Sequence, residues 1–410
     1  MHLEGFLLQR LGRQTNTDSF ISNPQTAALT GDDVSASFDL RKTTAESIAR
    51  VNVTLQESRT LALEISGEGD FNTLKSTTNY IENGAPTPLP AADVDVDEFR
   101  GEFSLNATWQ AAPTLTTELG LRTEASRISS SGDVTSARSL FYPKPRLAVT
   151  FSPDGSDQLR LRFEREVGQL DFNDFTAQTA GLNTGTVHAG DPTLNPGQDW
   201  VAEAAWDRRF WRAADVTVTV RHYWLGDVVD RVGAPSPSGT YDSPGNIGSG
   251  TKSEADVALT LPLDRIGVSR GLLTGDATFR ESRVLDPTVL RYRPISGLHQ
   301  SDWVIHFTQG LPRWRASWGA DLYGPWNQTF YRFNEIDTDK LHMFVGLFAD
   351  YKSRTDLSFR IEAINAFGQG FEHSRQVFNG PRNDSGLDFT DVHQIRLGHF
   401  FRLKVIKSFQ

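Results

Sequence analysis

The sequence contains no cysteine, which excludes disulfide scaffolds, thiolate zinc sites, iron–sulfur clusters and cysteine nucleophiles. Long apolar runs are missing too. No stretch approaches the about 18 consecutive apolar residues of a transmembrane helix, and mean hydropathy is −0.40. A helical membrane protein is thereby excluded, whereas a transmembrane β-barrel is not, because only alternate residues of its strands need be apolar. Basic residues are the minority, 41 against 51 acidic ones for a formal net charge of −10. A polybasic nucleic-acid surface is therefore excluded, and no nucleic-acid partner is expected. The segment Met1–Arg10 has neither a basic leader nor a long apolar core, so it does not read as a secretory signal.

What the sequence does carry is alternation with period two. Between Phe99 and Trp109 one face holds Phe99, Phe103, Leu105, Ala107 and Trp109, and the other holds Arg100, Glu102, Ser104, Asn106 and Thr108. The pattern recurs at Leu61/Leu63/Ile65, Leu159/Leu161/Phe163, Val216/Val218/Val220, Trp303/Ile305/Phe307 and Leu357/Phe359/Ile361. Connections sort into two kinds. Short breaks such as Ser152-Pro153-Asp154-Gly155, Arg212-Ala213-Ala214 and Lys352-Ser353-Arg354 alternate with long polar stretches near 14–33, 74–95, 127–139, 170–198, 228–250, 284–298, 325–339 and 368–392. Short turns on one side and long loops on the other are the sidedness of an outer-membrane barrel. About sixteen strands are expected, the first near 3–13 and the last near 393–409, in a single β-barrel domain over residues 1–410. Aromatics at strand ends, among them Trp109, Trp211, Trp224, Trp318 and Tyr351, suit an interfacial girdle.

Specific segments then resemble the TonB-dependent outer-membrane receptor family. They are Ala189-Gly190-Asp191-Pro192-Thr193-Leu194-Asn195-Pro196, Tyr142-Pro143-Lys144-Pro145-Arg146-Leu147, Pro244-Gly245-Asn246-Ile247-Gly248, Glu362-Ala363-Ile364-Asn365-Ala366-Phe367 and Asn379-Gly380-Pro381-Arg382. At the C-terminus Phe401, Leu403, Val405 and Phe409 resemble the membrane-assembly signal of that family, with Lys407 on the same face and Gln410 beyond the aromatic. The resemblance implies an all-β, antiparallel up-and-down transmembrane barrel, sixteen strands of a probable 22, without the plug domain. It implies outer-membrane lipid and the barrel-assembly machinery as partners, with an inner-membrane energy-coupling protein only if a plug lies upstream.

No nucleophile elbow, zinc-protease helix, Walker loop or dinucleotide fingerprint is present. Asp93, Asp95 and Asp97 read as a solvated acidic loop, lacking the glycine and distal glutamate of a calcium loop. The nine histidines show no close pairing; His188, His299, His373 and His393 are expected on loops or strand mouths, where each either meets a metal chelate or is an exposed polar residue, and neither a metal site nor a cofactor is expected. Arg160, Arg162, Arg221, Arg280 and Arg360 suit an anionic solute in the lumen, but pairing with Glu118, Glu164, Glu281 and Glu362 is the better expectation. Phe172, Phe175, Tyr241, Trp326 and Tyr331 either clamp a small ligand or pack the mouth. The leading function is non-enzymatic: an outer-membrane nutrient receptor for a scarce solute such as a metal chelate, vitamin or oligosaccharide. A passive pore or truncated barrel is second, and a barrel-type hydrolase third.

Overall fold

The computed structural model describes residues 1–22, 34–181, 186–211, 213–353 and 357–407. Its first half contains His2–Ser22 (β1), Val34–Gln56 (β2), Leu61–Glu82 (β3), Ala85–Pro86 (β4), Asp93–Ala112 (β5), Leu115–Gly132 (β6), Ser136–Phe151 (β7) and Asp157–Val167 (β8). Gln178–Gly181 (β9), Thr186–His188 (β10), Gln198–Phe210 (β11), Ala214–Gly226 (β12), Val229–Ser236 (β13), Gly239–Asn246 (β14), Gly250–Pro262 (β15), Gly271–Leu285 (β16) and Tyr292–Arg293 (β17) follow. The remainder is Ser301–Leu311 (β18), Ala316–Tyr323 (β19), Trp326–Tyr331 (β20), Glu335–Leu341 (β21), Phe344–Lys352 (β22), Leu357–Ile364 (β23), Gly370–Phe378 (β24), Leu387–Arg396 (β25) and Phe400–Lys407 (β26). No helix among the described residues is long and apolar enough to cross a membrane.

Eighteen strands share one sheet. Setting aside the two-residue β4 and β17, sixteen long strands remain, and each pairs antiparallel with the next in an up-and-down meander from β1 to β26. Among the described residues β1 pairs only with β2 and β26 only with β23, so both are sheet edges and no ladder joins Leu7 to Leu403. Leu7 and Phe401 are accordingly 83% and 80% exposed.

The apolar alternates face outward. Leu105, Leu119, Leu147, Leu161, Phe163, Val220, Ile305, Leu347 and Ile361 are each more than a third exposed, residues that a water-soluble protein of this size would bury. Trp109, Trp211, Trp224, Trp318 and Tyr351 are exposed with them. Tyr223 instead turns inward, where the Lys252 ammonium lies 3.9 Å from its ring centre.

Three expected loops are strand. The stretch near 127–139 shrinks to a connection over 133–135, the stretch near 74–95 to 83–92, and β1 continues to Ser22. Residues 23–33 of the first expected loop lie outside the described residues, as do Arg212 and Arg354 of two short turns. The cause is physical: beyond the apolar band neither strand face meets lipid, so the alternation vanishes while the hydrogen-bond ladder continues. Asp93, Asp95 and Asp97 therefore sit in β5 rather than in a loop, and Lys75 reaches Asp95 at 3.6 Å.

Above the wall are two further four-stranded sheets, ordered β13-β14-β10-β9 and β20-β21-β24-β25. The first layers on the inner face of the tall strands. Phe175 and Leu194 pack on Leu74, Val94, Val96 and Ile128, while Ala177 and Val187 pack on Phe38 and Leu40. The second sheet continues the wall past a crease. Only Gly324-Pro325 separates β19 from β20, His342-Met343 separates β21 from β22, and residues 397–399 divide the expected last strand into β25 and β26. Proline suits such a break because it brings no ladder donor. Asn365, buried and left-handed at φ 54°, ties the crease. Its Nδ2 donates to the carbonyls of Gln369 and Leu397 at 2.8 Å each, and its Oδ1 accepts the Gln369 amide at 2.9 Å.

Leu161, near the middle of β8, reports on the outward face. Leu161→Arg is expected to cost about 2–4 kcal/mol of stability in phospholipid vesicles, the midplane cost of a lipid-facing arginine. Denaturant titration of vesicle-folded protein measures it, and a cost within error of zero would refute a lipid-facing β8.

Candidate functional site: the lined and roofed inner face

Register aligns the inner charges. Glu203 lies directly opposite Arg162 on one side and Arg221 on the other; Arg221 faces Glu254, and Glu254 faces Arg280. Opposite charges on neighbouring strands at one level attract, and like charges would repel. The contacts follow: Arg162 to Glu203 at 2.9 Å, Arg221 to Glu203 at 2.7 Å and to Glu254 at 2.8 Å, and Arg280 to Glu254 at 3.0 Å and Asp302 at 2.5 Å. Arg221 also contacts Asp256, and Arg162 contacts Glu164. Farther round, Arg100 holds Asp70 at 2.7 Å, and Lys144 bridges Glu102 and Glu124 at 2.5 and 2.8 Å.

All five arginines singled out in the sequence are thus in ion pairs. Arg160 meets Glu203 at 3.1 Å, and Arg360 meets Asp350 and Glu362 at 3.2 and 2.6 Å. Of the four expected partners, Glu164 and Glu362 serve; Glu118 takes Arg146 at 3.4 Å, and Glu281 lies opposite Ser253. Glu203, Glu254, Asp302 and Asp350 carry much of the pairing and were missed, because strand register is not legible from one strand at a time.

The roof is held by side chains that replace ladder bonds. In the segment 189–196, Arg138 donates to the carbonyls of Thr193 and Pro192 at 2.6 and 3.1 Å and to Asn195 Oδ1 at 3.0 Å. Asn246 accepts the Asn195 amide at 2.8 Å and donates to the carbonyls of Asn195 and Asp227 at 2.9 and 2.8 Å. Gly190 passes so close to the 175–176 peptide that a Cβ there would sit 2.4 Å from it. Arg382 and Arg293 both bind Asp286 at 2.6 Å, and Arg293 also binds Asp230 at 2.8 Å. Four of the five segments that carry the family resemblance, around Asn195, Asn246, Asn365 and Arg382, are therefore the knots of roof and crease. The fifth supplies Lys144 to the charged inner face.

A second centre surrounds Arg332, which binds Asp242 at 2.9 Å and Asp337 at 3.0 Å, joining the two upper sheets. Beside it Arg375 holds Glu335 at 2.7 Å. Burial holds His188 below its ordinary imidazole range despite Asp242 nearby. Burial also pushes Glu335 up to about 7, with the adjacent Asp337 adding to the rise against Arg375.

The aromatic candidates are distributed through this roof. Phe172 and Phe175 stack at 5.2 Å, and Phe175 is wholly buried. Tyr241 packs on the cluster around Phe38, Trp326 stacks on His299 at 4.3 Å, and Tyr331 lies under Arg293 at 4.7 Å. Apart from Phe172 with Phe175, they do not meet one another. Phe401, Leu403 and Val405 stand exposed on β26, and Phe409 lies outside the described residues. Beneath the roof a polar cavity of about 450 Å³ is lined by Arg10, Lys42, Glu46, Glu98, Arg100, Gln169 and Asn173 among others. It draws on five strands, β1, β2, β3, β5 and β6, and the 168–173 segment, a convergence without any local motif.

No family model matches the sequence, and it matches no curated protein. Solved structures do match it. The pyoverdine outer membrane receptor FpvA from Pseudomonas aeruginosa PAO1, bound to pyoverdine, superimposes with a TM-score of 0.65 at 12% identity over 99% of this chain and 59% of its own. The fold is that of an outer-membrane receptor barrel. The unliganded ferric citrate transporter FecA gives 0.63 at 10% identity, with 98% and 58% covered. The copper transporter OprC gives 0.61 at 11%, with 96% and 67% covered. The likeness to TonB-dependent outer-membrane receptors expected from the sequence holds for the fold, and the chain spans about three fifths of the FpvA and FecA chains.

Two outcomes follow from this geometry. Glu203→Gln leaves Arg162 and Arg221 short of a carboxylate on the inner wall, a loss of about 3 kcal/mol at the low end for a broken buried pair, because water reaches both arginines. Denaturant unfolding in detergent measures it, with Glu118→Gln as the near-neutral comparison. For Glu335, stability belongs to the protonated form: it is fully present below the ordinary carboxyl value of 4.5 and is lost as pH rises through about 7. Glu335→Gln should flatten the pH dependence of thermal unfolding across that window, and parallel curves for variant and wild type would count against the assignment.

Proposed function

We propose that this chain is the wall and roof of an outer-membrane nutrient receptor of the TonB-dependent type, taking up a scarce solute such as a metal chelate, vitamin or oligosaccharide. The observation that carries the reading is the inward layer: the sheet of β9, β10, β13 and β14 packs on the inner face through Val187 and Tyr241, and the 168–173 segment before it closes over a polar cavity. A passive pore has no need of a roof knitted by Arg138, Asn246 and Arg332. In this reading the sixteen strands belong to a wall of about 22, and the unpaired ladders of β1 and β26 take further strands, since lipid supplies no hydrogen bonds. Outer-membrane lipid and the barrel-assembly machinery are then its partners, Phe401, Leu403, Val405 and Phe409 its assembly signal, and an inner-membrane energy-coupling protein is a partner only if a plug lies upstream. Phe172, Tyr241, Trp326 and Tyr331 line the entry, and the arginines tune the field within.

The test supplies an export signal, recovers the protein and measures binding in detergent. We expect fractionation with the outer membrane and saturable binding of one class among ferric chelates, cobalamin and maltooligosaccharides, with protection of the 168–197 segment, which carries Phe172 and Phe175, from chymotrypsin. Recovery as a water-soluble monomer, or ohmic conductance in planar bilayers without binding, would overturn the receptor reading.

A further inference from the structure

The nine histidines are scattered in sequence, but the second upper sheet brings two of them side by side. His373 on β24 lies directly opposite His393 on β25, and Asp339 on β21 lies opposite His373 on its other flank. The two imidazole rings are 6.4 Å apart, tilted by 35°. Each is oriented by a carboxylate: Asp339 Oδ1 is 2.8 Å from His373 Nδ1, and Asp391 Oδ2 is 2.8 Å from His393 Nε2. Nε2 of His373 and Nδ1 of His393 remain available. The side chains are 33% and 63% exposed, so an ion reaches them from solvent.

We propose that His373 and His393 form a binding site for a divalent transition-metal ion on the second upper sheet. Paired neutral imidazoles suit Cu²⁺, Ni²⁺ and Zn²⁺, with Cu²⁺ held most tightly. A carboxylate behind each ring is the arrangement that fixes the tautomer and strengthens a ligating histidine. Directly opposed strand positions hold their Cβ atoms about 4.5–5.5 Å apart. The rings therefore come within about 2.0–2.1 Å of a shared ion by side-chain rotation, with no backbone change. No group of three or more His, Asp or Glu side chains among the described residues surrounds a single point, so the protein supplies two ligands and water completes the shell. The site stands whether or not the receptor reading does, because it requires only the second upper sheet.

Full-length protein in detergent, carrying His2→Gln to remove the amino-terminal amine–imidazole chelate, is titrated with Cu²⁺ and read by electron paramagnetic resonance. We expect one ion per chain with coupling to two imidazole nitrogens, displaced by excess Ni²⁺. His373→Gln and His393→Gln each reduce the coupling to one nitrogen, and Asp339→Asn weakens binding about tenfold while both nitrogens stay coupled. His306→Gln, on the wall, leaves the signal unchanged. A wild-type-like spectrum from the doubly substituted protein, or no uptake of Cu²⁺ by the parent, would overturn the site.

Discussion

One constraint organises this molecule: in hydrocarbon every backbone donor and acceptor must find its partner inside the sheet. The sixteen long strands meet it between neighbours through an unbroken antiparallel ladder from β1 to β26, and only the outer edges of those two strands are left open among the described residues. Side chains are then released from any part in backbone pairing and divide cleanly, apolar outward and charged inward. Where the ladder breaks, at the crease and in the roof, side-chain amides and guanidinium groups take its place. Asn365, Asn246 and Arg138 each bind main-chain carbonyls that have no strand opposite them.

The inner charges are a second-order consequence of the same ladder. Antiparallel pairing puts Arg162, Glu203, Arg221, Glu254 and Arg280 at one level on successive strands. Alternating signs there neutralise one another locally, so the inner wall is polar without a strong field of one sign. Its arginines are already engaged by carboxylates, with Arg162, Arg221 and Arg280 each paired across a strand.

The roof combines two kinds of packing. Apolar contacts, Phe175 and Leu194 on the inner faces of β3, β5 and β6, hold its first sheet to the wall. Ionic contacts at Arg332 and at Arg293 with Arg382 join that sheet to the second one and to the segment after β16. The ionic joints are buried, so losing one partner strands the other, which makes them all-or-none connections rather than graded ones.

The period-two alternation together with the turn-about of short and long connections determined the class, the outward face, the number of long strands and the meander, because each is written in residues adjacent along the chain. Leu159, Leu161 and Phe163 declare their face without reference to any neighbour. The motif segments around Asn195, Asn246, Asn365 and Arg382 were legible as a resemblance, but not as knots, since their partners lie tens of residues away. Tertiary structure alone decided that Glu203 and not Glu281 pairs the arginines, and that the tall hairpins continue as strand past the apolar band. It also folded four loop regions into two sheets and set His373 beside His393. All of these depend on register and on layering between distant segments, which one strand's sequence does not contain.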